Sequence, residues 1–180
     1  YIPWRDVIEG WSERFRLIPR DVLPGADQAP MSIDGVLVAN AICFDIAYDD
    51  VVPRQVRDGA QVVVVRTSNA TFFGTSQLDQ QLQITRARAI ESGRTVVVSA
   101  VNGLTAVVRP DGGVSTVLPA GDPGVLVADV PLESALTPAV EHQDPIRLLV
   151  LLGGAVALLV AVVGAAVARL RTGSRSQRLV

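Results

Sequence analysis

The sequence contains no lysine: all 16 of its basic residues, in a chain of 180, are arginines. Any reaction step that needs a lysine ammonium must therefore find it outside these residues. Cysteine occurs once, at Cys43, which excludes an intrachain disulfide and a cysteine-cluster metal site. Histidine also occurs once, at His142, which excludes a multi-histidine zinc site. Neither a metal nor a cofactor is expected, and the chemistry has to rest on one thiol, carboxylates, amides and backbone donors. No glycine-rich phosphate loop, EF-hand, HExxH, GxSxG or internal repeat is present, so a nucleotide site has no support. Acidic residues stop before position 146. Residues 1–145 hold 11 arginines against 18 acids, a net of −7, and residues 146–180 hold 5 arginines and no acid, giving −2 overall. An acidic globular part repels a phosphate backbone, which argues against a nucleic-acid partner. Apolar runs at strand and helix spacing exclude a disordered chain.

The longest of those runs, Leu148–Ala168, is 21 residues without a charge. As a helix it is roughly 31 Å long, about the thickness of a hydrocarbon core. A buried core helix is the alternative, disfavoured by the length and by the lack of a polar face. Arg169, Arg171, Arg175 and Arg178 follow the run, and Glu141 and Asp144 precede it with Arg147. The positive-inside rule then puts the tail, 169–180, in the cytoplasm and residues 1–145 outside the cell membrane, joined by a membrane helix over 146–168.

Within residues 1–145, the Pro- and Gly-rich opening predicts loops with a short helix near Asp6–Phe15, on which Trp4, Trp11 and Phe15 form a packing face or, alternatively, a lipid-contacting rim. Val36–Ile42 reads as a strand covered on both faces. Asp49 and Asp50 can cap a helix over Val51–Arg57, where Pro53 is tolerated in the first turn and Gly59 ends the segment. Gln61–Thr67 reads as a second buried strand, and Leu78–Ser92 as a helix with an inward stripe of Leu78, Leu82, Thr85 and Ala89, stopped by Gly93. Strands are predicted at Thr95–Ala100, Leu104–Val108, Ser115–Leu118 and Val125–Val130. This order describes an α/β sheet with helices lying on it, and such sheets place their sites in the loops beyond the strand ends.

Several residues in those loops can carry chemistry, and each reads two ways. Cys43 follows a buried strand on a turn rich in backbone donors, as a nucleophile or as an inert core thiol. Asp45 either orients a base or a substrate amine, or caps the turn. Ser68 and Asn69 hold a substrate carbonyl or brace the Cys43 loop, or else form an ordinary Asx or Ser turn. Phe72 and Phe73 line an acyl pocket or pack their own loop. Arg86, Arg88 and Glu91 form a helix-surface pair or a bridge supporting the site. Asn102 and Gly103 read as a tight turn.

Taken together these segments resemble the C-terminal part of the apolipoprotein N-acyltransferase family, the membrane-bound branch of the nitrilase (carbon–nitrogen hydrolase) superfamily. The resemblance rests on YIPWR, on GVLVANAICFDIAYDDVVPRQVRDGAQVVVVRTSNATFFG, on QQLQITRARAIESGRTVVVSAVNGLTAVVRPDGG and on the final apolar run. It implies an α-β-β-α sandwich and a Glu-Lys-Cys triad whose cysteine is Cys43. Phe44 supplies an oxyanion N–H, Asp45 stands where the family usually has Glu, and Ser68–Asn69 match its Ser-Asn pair. The family's usual Gln-His pair is here Gln80–Gln81. Phe72, Phe73 and Trp4 become candidates for an apolar rim around the acyl chain. The triad Glu and Lys belong to a preceding region, so the chain reads as a C-terminal fragment of a larger enzyme, inactive alone.

The implied reaction transfers an acyl chain from a phospholipid, through a cysteine thioester, to the N-terminal amine of S-diacylglyceryl-cysteine in a lipoprotein. The implied partners are a phospholipid donor, a diacylated lipoprotein acceptor and the bilayer. Two alternatives stand beside it: a membrane-anchored amidase acting on a small soluble amide, and a non-catalytic nitrilase-like binding domain. Some relatives are fused to a polyprenol-phosphate mannose synthase, and RLRTGSRSQRLV reads either as a plain tail or as the start of such a linker.

Overall fold

The computed structural model describes residues 4–8, 10, 11, 13 and 28–176. It contains one six-stranded sheet in the order of the sequence: β1 (Met31–Ile33), β2 (Val36–Ile42), β3 (Val62–Thr67), β4 (Val96–Ala100), β5 (Thr105–Val108) and β6 (Val114–Leu118). The central strands β2, β3 and β4 are parallel, and β1, β5 and β6 run antiparallel to their neighbours. Two helices make the parallel crossovers, α2 (Val51–Arg57) and α3 (Gln77–Ser92), after the short α1 (Arg5–Ile8).

Both crossover helices pack on one face. Ala39 and Ala41 of β2, Val63 and Val65 of β3, and Val96 and Val98 of β4 share one buried cluster with Val52 and Val56 of α2 and Ala89 of α3. The register aligns these positions across the strands, Ala41 beside Val65 and Val65 beside Val98, so one face of the pleat meets both helices. The other face carries Met31, Ile33, Ile42, Val64 and Val97, of which the first three are about half exposed. The described residues thus supply one helical layer and one sheet layer, half of the α-β-β-α sandwich that the resemblance implies.

Most elements fall where the residues place them, with four corrections. Val125–Val130 is not a strand: Val125 and Val127 are 91% and 90% exposed, and the segment has no ladder partner among the described residues. β1, which the composition of the opening segment concealed, pairs instead along the edge of β2. Asp50 occupies the cap position of α2 without capping it, because its backbone is already helical (φ −105°, ψ −21°) and its carboxylate pairs with Arg54. Trp4 and Trp11 are exposed and form no packing face; α1 covers only part of Asp6–Phe15, and Phe15 lies outside the described residues.

Two devices join the later segments to this core. Arg94, 1% exposed, donates from Nε to the carbonyl of Ala60 and from Nη1 to that of Ala135, both at 2.8 Å. It ties the sheet to the irregular segment before α4 (Pro138–Glu141). Burial pushes the Arg94 guanidinium below its ordinary pKa, and nearby Glu133 opposes that. Thr137 caps α4 by accepting from the Val140 N–H and donates its own hydroxyl to the Glu91 carbonyl of α3.

The final helix, α5, runs unbroken over Gln143–Ser176, starting before the apolar run because Pro145 sits acceptably in its first turn. Residues 143–165 are long and apolar enough to cross a membrane, and none of that window is buried in the protein. Within the described residues this helix packs into no core. The foot of α5 is fastened to the domain: Arg57 donates to the Gln143 side chain at 2.9 Å, Gln143 donates to the Asp49 carbonyl, and Arg147 lies 3.9 Å from the Asp49 carboxylate.

Candidate active site

β2 ends at Ile42, and the next residue, Cys43, has φ +54°. A side chain at positive φ is strained unless its surroundings enforce the conformation. Cys43 begins a tight 3-10 turn, Cys43–Ala47, that redirects the chain at the C-terminal end of the parallel strands. Asp45 closes the turn on itself, its carboxylate accepting from the Ile42 N–H at 3.1 Å. Of its two sequence readings, the structure shows the cap.

The turn is also held from α3. Arg88 donates from Nε to the Ile46 carbonyl at 3.0 Å and from Nη2 to the Ala47 carbonyl at 2.9 Å, while Nη1 pairs with Glu91. This bridge supports the Cys43 turn directly. Arg86 points elsewhere, to the Gly112 carbonyl in the β5–β6 turn.

A second set of bonds reaches the carbonyl of Cys43. Gln81 Nε2 donates to it at 3.2 Å, Asn69 Nδ2 donates to Gln81 Oε1 at 2.6 Å, and Thr67 Oγ1 donates to Asn69 Oδ1 at 2.7 Å. The polarity follows from the last group in the chain. A carbonyl oxygen only accepts, so Gln81 must present its NH2 there and its oxygen to Asn69, and Asn69 must then turn its own oxygen to Thr67. Asn69, like Cys43, has positive φ (+55°), and it packs so closely on Gly103 that a Cβ there would lie 2.6 Å from Asn69 Nδ2. Gly103 is therefore more than a turn residue.

Beside Cys43 opens a pocket of about 150 Å³. Phe44, Phe72, Leu78 and Ile84 form its apolar wall, and Asn69, Gln77, Gln80 and Gln81 give it a polar side. Phe44 is 61% exposed and meets Tyr48 edge-on at 6.2 Å between ring centroids. Its backbone N–H lies in the first turn of the 3-10 segment, where no intrahelical acceptor exists. The structure thus brings together Cys43, Phe44, Asn69 and Phe72. It does not bring in Ser68, which is exposed, takes the Asn102 N–H on its carbonyl and lines no part of the pocket. Phe73 packs instead near Gly121, and Trp4 is 81% exposed and away from the pocket lining.

Sequence reasoning gave Thr67 no role and named Gln81 only as part of the counterpart of the family's Gln-His pair. The available signal was Gln81 itself, an amide adjoining the inward stripe of α3 between Leu78 and Thr85. Among the described residues no three His, Cys, Asp or Glu side chains cluster as metal ligands.

The fold thus sets its one described thiol on a strained turn at the C-terminal end of the parallel strands, beside the pocket. Residues 12–136 match the model of the carbon-nitrogen hydrolase family, and the chain belongs to that family. The apolipoprotein N-acyltransferase of Ralstonia nicotianae is 40% identical over 116 residues, covering 63% of this chain and 22% of that protein. That of Mycolicibacterium smegmatis is 29% identical over 165 residues, covering 90% of this chain and 27% of that protein. The chain therefore spans about a quarter of the length of these curated relatives. Among solved structures, a mutant amidase from Nesterenkonia sp. AN1, whose active-site cysteine carries the acetamide moiety of fluoroacetamide, matches with a TM-score of 0.51 and 27% identity. That match covers 68% of this chain and 49% of the amidase.

Proposed function

We propose that this chain is the cysteine-bearing part of an apolipoprotein N-acyltransferase. The observation that carries the reading is the strained Cys43 turn opening on an apolar-walled pocket, in a chain whose last helix is long and apolar enough to lie in a bilayer. In this reading the Cys43 thiolate attacks the ester carbonyl of a phospholipid, forming a C–S bond. The C–O bond breaks, and the lysophospholipid leaves with a proton. The α-amine of S-diacylglyceryl-cysteine on a lipoprotein then attacks the thioester, the C–S bond breaks, and the amine's proton returns the thiol. The Phe44 N–H stabilises the oxyanion in both steps, and the wall of Phe44, Phe72, Leu78 and Ile84 keeps water from the thioester.

The general base and the lysine implied by the resemblance come from the rest of the polypeptide, so the 180 residues do not acylate by themselves. Residues 1–145 stand on the extracytoplasmic face, and the arginine-rich tail is cytoplasmic, where a fused mannose synthase is compatible with it. A second reading, hydrolysis of a small amide, takes its support from the likeness to the amidase. Anchoring beside a bilayer favours the lipid substrates, because it holds both amphiphiles near the thiol.

The test uses the complete parent protein, wild type and Cys43→Ala, in cells lacking their own N-acyltransferase, with the N-terminal peptide mass of a reporter lipoprotein as readout. The expected result is a gain of one amide-linked acyl chain with wild type only. Acylation by both forms removes Cys43 as the nucleophile. A well-inserted wild type that adds no acyl chain to any of several acceptors but hydrolyses amides establishes the second reading.

A further inference from the structure

Two strained turns close the C-terminal ends of neighbouring parallel strands: Cys43 after β2 and Asn69 after β3, at φ +54° and +55°. One side chain, Gln81 of α3, joins them. Its amide accepts from Asn69 and donates to the carbonyl of Cys43, and Thr67, buried at the end of β3, fixes the orientation of Asn69. The Cys43 carbonyl and the Phe44 N–H belong to one peptide group. That group is planar and trans, so its carbonyl and its N–H point in opposite directions. Whatever holds the carbonyl therefore also aims the N–H. The α3 helix can act as the reference because its Thr85 and Ala89 are packed into the core.

We propose that Gln81 is a positioning residue for acyl transfer: by holding the Cys43 carbonyl toward α3 it fixes the direction of the Phe44 N–H, the donor that receives the oxyanion. This rests on the acyl-transfer reading for the identity of the oxyanion, but the geometric claim applies to any ester attacked by Cys43. The hydrogen-bond pattern also says what can replace Gln81. A substitute has to accept from Asn69 and donate to the Cys43 carbonyl. Glutamate has the same shape but offers only acceptors, whereas a neutral imidazole offers one of each.

The experiment uses the complete parent protein with Gln81→Glu, Gln81→Leu and Gln81→His. Two substrates are compared: the phospholipid–lipoprotein pair, and p-nitrophenyl butyrate, whose released nitrophenol reports thioester formation without an acceptor. Losing an aimed oxyanion donor costs on the order of 10²–10³ in kcat. The expected result is a fall of that size for Gln81→Glu and Gln81→Leu on both substrates, with KM changed by less than about threefold. Gln81→His should recover to within about tenfold of wild type at a pH where the imidazole is neutral, above its usual value near 6.5.

Retention of kcat by Gln81→Glu or Gln81→Leu overturns the proposal. So does a loss confined to KM, or a Gln81→His variant that, although folded, does no better than Gln81→Leu. Should Gln81→Leu fail to fold, the near-isosteric Gln81→Glu decides. A wild type that cleaves the ester through Cys43 but acylates no lipoprotein refutes the acyl-transfer reading, while the ester data still decide the role of Gln81.

Discussion

Replacing Arg88 by methionine keeps the aliphatic stem on α3 and removes the guanidinium that holds the Cys43 turn. The turn loses two bonds, at 3.0 and 2.9 Å, to the Ile46 and Ala47 carbonyls, while the lost salt bridge to Glu91 lies within α3 itself. A hydrogen bond to a charged group contributes about 1.5–3 kcal/mol, and with Arg88 still 14% exposed the lower end applies, giving roughly 3 kcal/mol for the pair. Freeing the side chain returns about 1 kcal/mol of rotamer entropy. The net cost is therefore about 2 kcal/mol, placed on the turn rather than on the sheet. At about 1.4 kcal/mol per tenfold, local opening becomes roughly 30 times more frequent.

The Tyr48 N–H, bonded to the Asp45 carbonyl at 3.1 Å, reports that opening. Amide hydrogen exchange on the complete parent protein in detergent, read by mass spectrometry over the Cys43–Asp50 peptide, should accelerate by about that factor. The β5–β6 hairpin serves as the unchanged reference. Arg88→Lys, with one point charge for two carbonyls, should fall between. Exchange within about threefold of wild type in Arg88→Met would show that the bridge to α3 does not hold the turn.

Two further outcomes follow from the geometry. In Gly103→Ala the new Cβ would lie 2.6 Å from Asn69 Nδ2 and 3.2 Å from the Ala100 Cβ, so Asn69 must leave Gln81. Ester cleavage at Cys43 should drop at least tenfold with little change in melting temperature, and undiminished cleavage would mean the Asn69 link is dispensable. At the β5–β6 turn, the Arg109 guanidinium first and the Gly113 N–H second hold the Asp111 carboxyl below its usual pKa of 3.8. Its stabilising contribution is then complete above that usual value and is lost as pH falls through the lower folded value. Amide protection around Gly113 should decline in that acid range for wild type, and Asp111→Asn should lose the dependence. An identical acid profile in both would discard Asp111 as its cause.

The sheet and its crossovers were legible because their signals are local. Val36–Ile42 is apolar nearly throughout and bounded by Gly35 and Cys43, and the structure gives β2 those same limits. The α3 stripe and its Gly93 stop were equally plain, since a helix repeats its inward face every three or four residues. Val125–Val130 misled because a short apolar run fits a buried strand by composition alone, and only a partner strand makes a ladder. β1 escaped because three residues have too little pattern to show. Cys43, Phe44 and Asn69 were visible as candidates from position and resemblance. What joins them was not: Gln81 meets a carbonyl 38 positions away, and a backbone acceptor has no signature in the identity of its residue.

With α5 in a bilayer, as the proposed function has it, the foot of α5 would give the lipid phase a mechanical hold on the thiol. Asp49, which Gln143 grips and Arg147 faces, lies shortly after the Cys43 turn, and the helix continues from Gln143 into the apolar run without a break. In a bilayer, a span longer than the hydrocarbon thickness adjusts by tilting. In that reading the bonds from Arg57 and Gln143 and the Arg147–Asp49 pair oppose free swinging at the foot, so a tilt of the helix would carry the domain with it. The pocket mouth would then rise or sink against the headgroups as the membrane thickens or thins. Under the proposed acyl-transfer reading, bilayer composition would then be a variable in the reaction even where it supplies neither substrate, because it would set the height from which Cys43 meets an ester.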